Sequence, residues 1–284
     1  MGQLGRSTSV VRRLLTVTDA DVVVSTGTPL PLRLPENVVT LVHDVRWAWT
    51  RSHASRFYRR LDLERSLARS KVILTVSQAV AAQLVYIGKA RHRVVVIPVG
   101  PGQFEGFPVQ PPQDSHRILL LGNAYHKRNE VAASLLAQSS LARARYSVIG
   151  VNLSDSASRT LSSAFPSDAL ELYSDVGRDD LGDLFRSASV FLALGTSEGF
   201  GLSYVEATYF GCDVITPKQP VAVEVLGRSG TYLSVDTPAV AELEQALSGW
   251  TAERVARLQE RALGRTWHDA SSSVADIVAG LLGR

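Results

Sequence analysis

The sequence predicts an α/β protein of two domains. Three observations carry this: a length of 284 residues, a repeated alternation of short β-branched runs with helical stretches, and one Pro- and Gly-rich interruption. Domains commonly hold roughly 100–200 residues, so this length is comfortable for two. The segment 98–112 (PVGPGQFEGFPVQPP) packs five prolines and three glycines into fifteen residues, with neither helical nor strand period. Proline and glycine punctuate chains, so the domain linker is placed there. The expected division is 1–103, 104–264 and a closing helical segment 265–284.

In the first domain, strands are expected at 21–25, 38–43, 72–76 and 94–98, with helices at 57–69 and 78–87. In the second, strands are expected at 117–122, 146–150, 170–173, 190–194 and 213–216, with helices at 130–139, 180–187 and 204–210. Several of these strands are almost entirely Val, Ile and Leu, as suits strands buried on both faces of a parallel sheet. Alternation of this kind reads as βαβ units. The last helix starts at Trp267 and carries Val274, Ile277, Val278 and Leu281 on one face.

Composition narrows the function classes. With 45% hydrophobic and 20% charged residues, the chain can bury a sizeable core, which excludes wholesale disorder. The single cysteine, Cys212, excludes an internal disulfide and a zinc–thiolate cluster and fits a reducing compartment such as the cytoplasm. No apolar run approaches the roughly 18–20 residues of a membrane span, and 1–9 lacks a signal-peptide core. The chain is therefore expected to be soluble or peripheral, with the inner membrane surface as the peripheral location.

Residues 1–100 carry 15 Lys and Arg against 6 Asp and Glu, and residues 101–284 carry 15 against 21, so the halves have balances of +9 and −6. A basic half suits anionic lipid head groups, a phosphorylated acceptor or nucleic acid, and equally a set of solvated helix faces. Nucleic acid has only charge in its favour, with no recognisable binding motif, and is not expected as a partner. The short D-x-D, Asp19 to Asp21, precedes its strand, the wrong edge for a nucleotide-sugar metal, and reads as the start of a helix. No metal ligand spacing is present.

The chemistry concentrates at 196–211 (TSEGFGLSYVEATYFG). A strand feeds a loop holding Glu198, Gly199 and Gly201, and a helix starts near Leu202. Glycines at such a turn leave backbone N–H groups bare at a helix N-terminus, a ready site for phosphate or diphosphate. Glu198 sits in the loop and Glu206 about one turn into the helix, so both carboxylates can face one crevice and accept from sugar or ribose hydroxyls.

E-G-F-G-L-x-x-x-E-A, followed by G-C-D-V-I-T, resembles the E-x7-E signature of the retaining GT4 glycosyltransferases, which have the GT-B fold: two Rossmann-like domains facing a cleft. The resemblance extends to 39–44 (VTLVHD), 72–77 (VILTVS), 94–100 (VVVIPVG), 117–129 (RILLLGNAYHKRN), Glu224–Val225 and 266–270 (TWHDA). It implies transfer of a sugar from a nucleoside-diphosphate sugar, a substrate rather than a cofactor, to a hydroxyl acceptor without a metal. The acceptor would be a glycan, a lipid-linked group or a small molecule.

Catalytic roles are implied for Glu198, on donor-sugar hydroxyls, for Lys127, neutralising the diphosphate, and for His43, orienting hydroxyls. Donor binding is implied for Gly199, Phe200, Gly201 and Leu202, for Glu206 at the ribose, for Arg128, Gly122 and Asn123 in the phosphate loop, and for Val176 near the base. Asp44, Arg56, Arg59 and Arg60, with Arg65, are expected on the acceptor side.

Two departures qualify the resemblance. The family commonly places an arginine five or six residues before the loop lysine, where this chain has Leu121, Gly122 and Asn123; Arg128 and Arg117 are the candidate substitutes. Only about 40 residues precede His43, so the N-terminal domain is expected to be abbreviated. It would then act as it stands, be completed by a partner chain or a second copy, or belong to a non-catalytic donor-binding subunit.

Overall fold

A computed structural model describes residues 21–26, 37–45, 53–88, 93–122 and 124–283, without the side chains at 53–56, 58 and 62. The chain divides into two units, 1–98 with 268–284, and 99–267. Each is built on its own all-parallel sheet.

In the first unit, β1 (Val23–Ser25), β2 (Val38–Val42), β3 (Val72–Thr75) and β4 (Arg93–Val96) pair in that order. Asp21 leads directly into β1 rather than into a helix, and Asp19 lies outside the described residues. The central strands read VVTLV and VILT and are almost wholly buried, as β-branched residues covered on both faces should be. Two helices, α1 (His53–Arg69) and α2 (Gln78–Gly88), cover one face. Leu63 and Leu67 of α1 meet Ile73, with Val80 and Leu84 of α2, in one apolar cluster. Buried polar groups are paired: the Thr40 and Ser70 hydroxyls lie 2.6 Å apart, and Ser70 donates to the Ser66 carbonyl at 2.7 Å.

The second unit alternates β5 (Arg117–Leu121), α3 (Asn129–Gln138), α4 (Ser140–Arg145), β6 (Ser147–Val151), α5 (Asp155–Ala164), β7 (Leu170–Tyr173), α6 (Arg178–Ser187), β8 (Val190–Leu192), α7 (Leu202–Tyr209), β9 (Asp213–Pro217), α8 (Pro220–Leu226), β10 (Thr231–Leu233), α9 (Val240–Ser248) and α10 (Ala252–Leu263). A final helix, α11 (Trp267–Leu281), lays Val274, Ile277 and Leu281 against Val39, Val72, Leu74 and Ile97 of the first unit.

The second sheet runs β10-β9-β8-β5-β6-β7. From β5 the chain steps outward to β6 and β7, then returns to the other side of β5 at β8 and steps outward again. The order therefore reverses between β5 and β8, and ligands of open α/β sheets bind at the carboxyl ends of strands flanking such a reversal.

The Pro- and Gly-rich segment is not a free linker. From Val99 onward it packs into the second unit, where Phe104 is fully buried and meets Phe107, Phe185 and Phe210 edge-on with centroids 5.0–5.8 Å apart. Aromatic rings bury large apolar areas and favour this edge-to-face geometry, which outweighs the flexibility that the composition suggests. Sequence reading also passes over β10, α4, α5, α8, α9 and α10. For α9 and α10 a signal was present, since Leu243 and Leu247, and Val255, Leu258 and Ala262, recur at helical spacing on buried faces.

A buried ion pair ties the far end of this unit. Asp213, fully buried at the start of β9, accepts from both terminal nitrogens of Arg254 at 2.9 Å and from the Thr231 hydroxyl at 3.2 Å. Burial pushes its carboxyl upward, against the pull of Arg254 and Thr231. Cys212 beside it is buried, its thiol pushed up by the same desolvation. No described helix is long and apolar enough to cross a membrane.

Candidate functional site

The loops after β5 and β8 meet at the reversal point. β5 ends at Leu121, and Gly122 (φ +83°) turns the chain into a 3-10 turn, Tyr125–Lys127. Arg128 takes a left-handed conformation (φ 55°), and α3 starts at Asn129. The buried Asn129 side chain donates to the Leu121 carbonyl at 3.0 Å and to that of Gly122, tying the turn back to its strand. This braced turn carries Lys127.

Across the reversal, β8 leads through 193–201 to α7. Gly201 caps α7 with φ +77°, and a Cβ there would come within 2.5 Å of the Tyr204 ring. Glycine alone meets both demands, the left-handed backbone and the close approach. The loop so formed holds Glu198, whose Oε1 accepts from Lys127 Nζ at 2.8 Å; the two side chains are 11% and 29% exposed. Leu121, Lys127, Asn129, Gly195, Glu198 and Ser203 line the small pocket at this point.

Glu206 is half-buried on the first turns of α7. Burial pushes its carboxyl upward, while the Gln103 backbone N–H and the Lys127 ammonium pull it down. A single cation therefore acts on both carboxylates of the E-x7-E pair. Sequence reading missed the partner on the other flank: Gly102 (φ +60°) passes so close that a Cβ would overlap Glu206 Oε1. Trp267 Nε1 donates to the Gly102 carbonyl at 2.6 Å, and the Trp267 backbone N–H donates to Glu105 at 3.0 Å. No local pattern links residues this far apart in the chain.

The remaining expected donor-side residues lie around this centre. Gly199 and the buried Phe200 belong to the loop, with the Arg265 guanidinium 5.3 Å over the Phe200 ring. Leu202 opens α7 and is exposed, and Val176 lies half-buried between β7 and α6. Arg128 is engaged elsewhere, donating to the carbonyls of Val235 and Asp236 at 2.8 and 2.6 Å, where it braces the β10–α9 connection. Arg117, the other candidate for the missing arginine, begins β5 and pairs with Glu171. It therefore sits at the opposite end of the strand from Lys127, about 13–17 Å away at roughly 3.3 Å per residue, and cannot serve the loop. Asn123 lies outside the described residues.

The first unit holds the other candidates. His43 is exposed just past the carboxyl end of β2, and Asp44 is half-buried after it. Arg59, Arg60 and Arg65 are exposed on α1, Arg60 pairing with Glu64 at 2.9 Å; the Arg56 side chain is outside the described set. Among the described residues no three His, Cys, Asp or Glu side chains gather as a metal ion would require.

The profile of the family described as "Glycosyl transferases group 1" matches residues 105–264, more than half of the chain. The chain belongs to this family. Its match spans Lys127, both glutamates of the signature and every strand of the second sheet. No curated protein matches the sequence.

Solved structures agree on the fold. WaaG, a glycosyltransferase involved in lipopolysaccharide biosynthesis, aligns over 98% of this chain and 83% of its own at 17% identity, with a TM-score of 0.73. A glycosyltransferase from Rickettsia africae ESF-5 aligns over 98% and 81% at 14% identity, TM-score 0.70. A chain of the GtfA/B complex aligns over 98% and 61% at 16% identity, TM-score 0.71. This group 1 glycosyltransferase thus has the GT-B fold.

Proposed function

We propose that this chain is a retaining, metal-independent GT4 enzyme that moves a sugar from a nucleoside-diphosphate sugar to a hydroxyl acceptor, a glycan, lipid-linked or small molecule. One observation carries the reading: Lys127 and Glu198 meet at 2.8 Å where the loops after β5 and β8 come together at the strand reversal. In this reading the donor diphosphate takes Lys127 and backbone N–H groups of the 199–203 stretch, while the sugar hydroxyls take Glu198 and the ribose hydroxyls take Glu206. A cation and fixed N–H groups aimed at the departing diphosphate stabilise the charge it gains as the glycosidic bond breaks. The leaving phosphate oxygen accepts the acceptor's proton on the same face, so retention needs no separate base. His43, Asp44 and the α1 arginines are assigned to the acceptor, whose approach the first unit would govern. The enzyme would work in the cytoplasm, at the inner membrane surface when its acceptor is lipid-linked.

The test is thermal unfolding with UDP-, GDP-, ADP- and dTDP-sugars, with and without EDTA. A ligand at a hundred times its Kd adds about 2.7 kcal/mol of stability. Stabilisation by one base class, unchanged by EDTA, supports the reading, and Glu198→Ala should then abolish transfer while keeping the fold. Stabilisation by none of them, or wild-type turnover in that variant, refutes it. The likeness to a chain of the GtfA/B complex raises a second reading, a donor-binding subunit that needs a partner; turnover by the isolated chain would exclude it.

A further inference from the structure

The loop that carries Glu198 is pinned from beneath at both ends by two side chains that the donor-site reading leaves idle. Gln219, 8% exposed and just before α8, sends its Nε2 to the Gly195 carbonyl at 2.6 Å, where the loop leaves β8. The same amide reaches the Tyr204 hydroxyl at 3.3 Å, and the Thr216 hydroxyl donates to that oxygen at 3.2 Å. Tyr204 is fully buried, and its ring fills the space under Gly201, where the loop ends. One buried polar chain, Gly195 to Gln219 to Tyr204 to Thr216, therefore holds the loop at Gly195, while the Tyr204 ring backs Gly201 at its end.

We infer that Gln219 and Tyr204 are positioning residues that hold the 195–201 loop ready for the sugar end of the donor. The inference rests on the donor-site reading above. An irregular loop of this length would lose about 1–2 kcal/mol of backbone entropy per residue if it had to order only on binding, and prior ordering removes that cost. The clamp touches the loop carrying Glu198. Gly195 lies against the turn bearing Lys127, but that turn has a brace of its own, the Asn129 side chain on the Leu121 and Gly122 carbonyls, which does not pass through Gln219 or Tyr204. Its loss should therefore fall harder on the sugar conjugate, which needs Glu198 and the loop backbone, than on the nucleoside diphosphate, which keeps Lys127 and Glu206.

The experiment measures Kd for four pairs, UDP and UDP-glucose, GDP and GDP-mannose, ADP and ADP-glucose, dTDP and dTDP-glucose. Wild type is compared with Gln219→Leu and Tyr204→Phe, and a melt verifies folding of each. For the pair that wild type binds, Gln219→Leu should shift the ratio of the two constants against the sugar conjugate by about tenfold, the scale of a buried partner left unpaired. The nucleoside diphosphate itself should stay within about twofold. Tyr204→Phe keeps the ring under Gly201 and should shift the ratio about threefold in the same sense; it carries the test alone if the leucine variant does not fold. An unchanged ratio, or equal weakening of both ligands, overturns the positioning role while the donor site stands. Binding of none of the pairs by wild type overturns the donor-site reading and this inference together.

Discussion

The contact between Gly102 and Glu206 can be tested with a single methyl group. Gly102→Ala places a Cβ onto Glu206 Oε1 and 2.9 Å from its Cδ, on a backbone at φ +60°. Holding alanine in the left-handed region costs roughly 1–2 kcal/mol. Pushing the carboxylate off the Gln103 N–H loses a charge-assisted hydrogen bond of about 1.5–3 kcal/mol. The expected destabilisation is about 2–5 kcal/mol, a large part of the 5–15 kcal/mol that folded chains commonly have. Urea unfolding followed by tryptophan fluorescence suits the measurement, because Trp267 donates to the Gly102 carbonyl. In a Glu206→Ala background only the backbone strain remains, so a double-mutant cycle should give a coupling of about 1–3 kcal/mol. A cost under about 0.5 kcal/mol, or additive effects of the two changes, would refute the claim that this glycine exists to admit the carboxylate.

Two further expectations follow from buried charges. Arg254→Leu leaves Asp213 buried without its cation and should cost about 3–5 kcal/mol in chemical denaturation, with Asp213→Asn added to it recovering much of the loss; no recovery would mean that Arg254 acts by packing alone. Glu206 has a folded-state pKa above its unfolded value, so the folded chain holds that proton more readily and acidification favours it. Relative to Glu206→Gln, wild type should therefore gain stability as pH falls from 7 through the raised folded value, levelling near the ordinary carboxylate value of about 4.3. Paired urea titrations between pH 7 and 4 read this difference, and a gap that stays constant or moves the other way would show that burial does not govern the carboxyl.

Much of the second unit was legible from local pattern. Runs such as RILLL and SVIGV announce strands covered on both faces, because an apolar run bounded by turns has few other low-energy fates. The glycine turn before α7 was legible too, since its residue types fit few other backbone shapes. Short elements such as α4 and β10 were not: they form because a neighbouring strand or helix already offers a surface. The units do divide within 98–112, after Pro98, but the packing of the rest of that segment was not legible, because Phe104 finds its three aromatic partners only after the chain has folded.

By themselves the residues determined the α/β class and the glycine turn with its two glutamates, because periodicity and turn chemistry act over a few neighbouring positions; Lys127 was singled out only by the family resemblance. Only the tertiary structure decided that Lys127 joins Glu198, that Gly102 and Gln103 flank Glu206, that Arg117 pairs with Glu171, and that Gln219 and Tyr204 clamp the loop. Each of those pairings spans different strands or loops. The strand order β8-β5 brings the Lys127 and Glu198 loops together, and no short-range rule encodes which strands lie side by side.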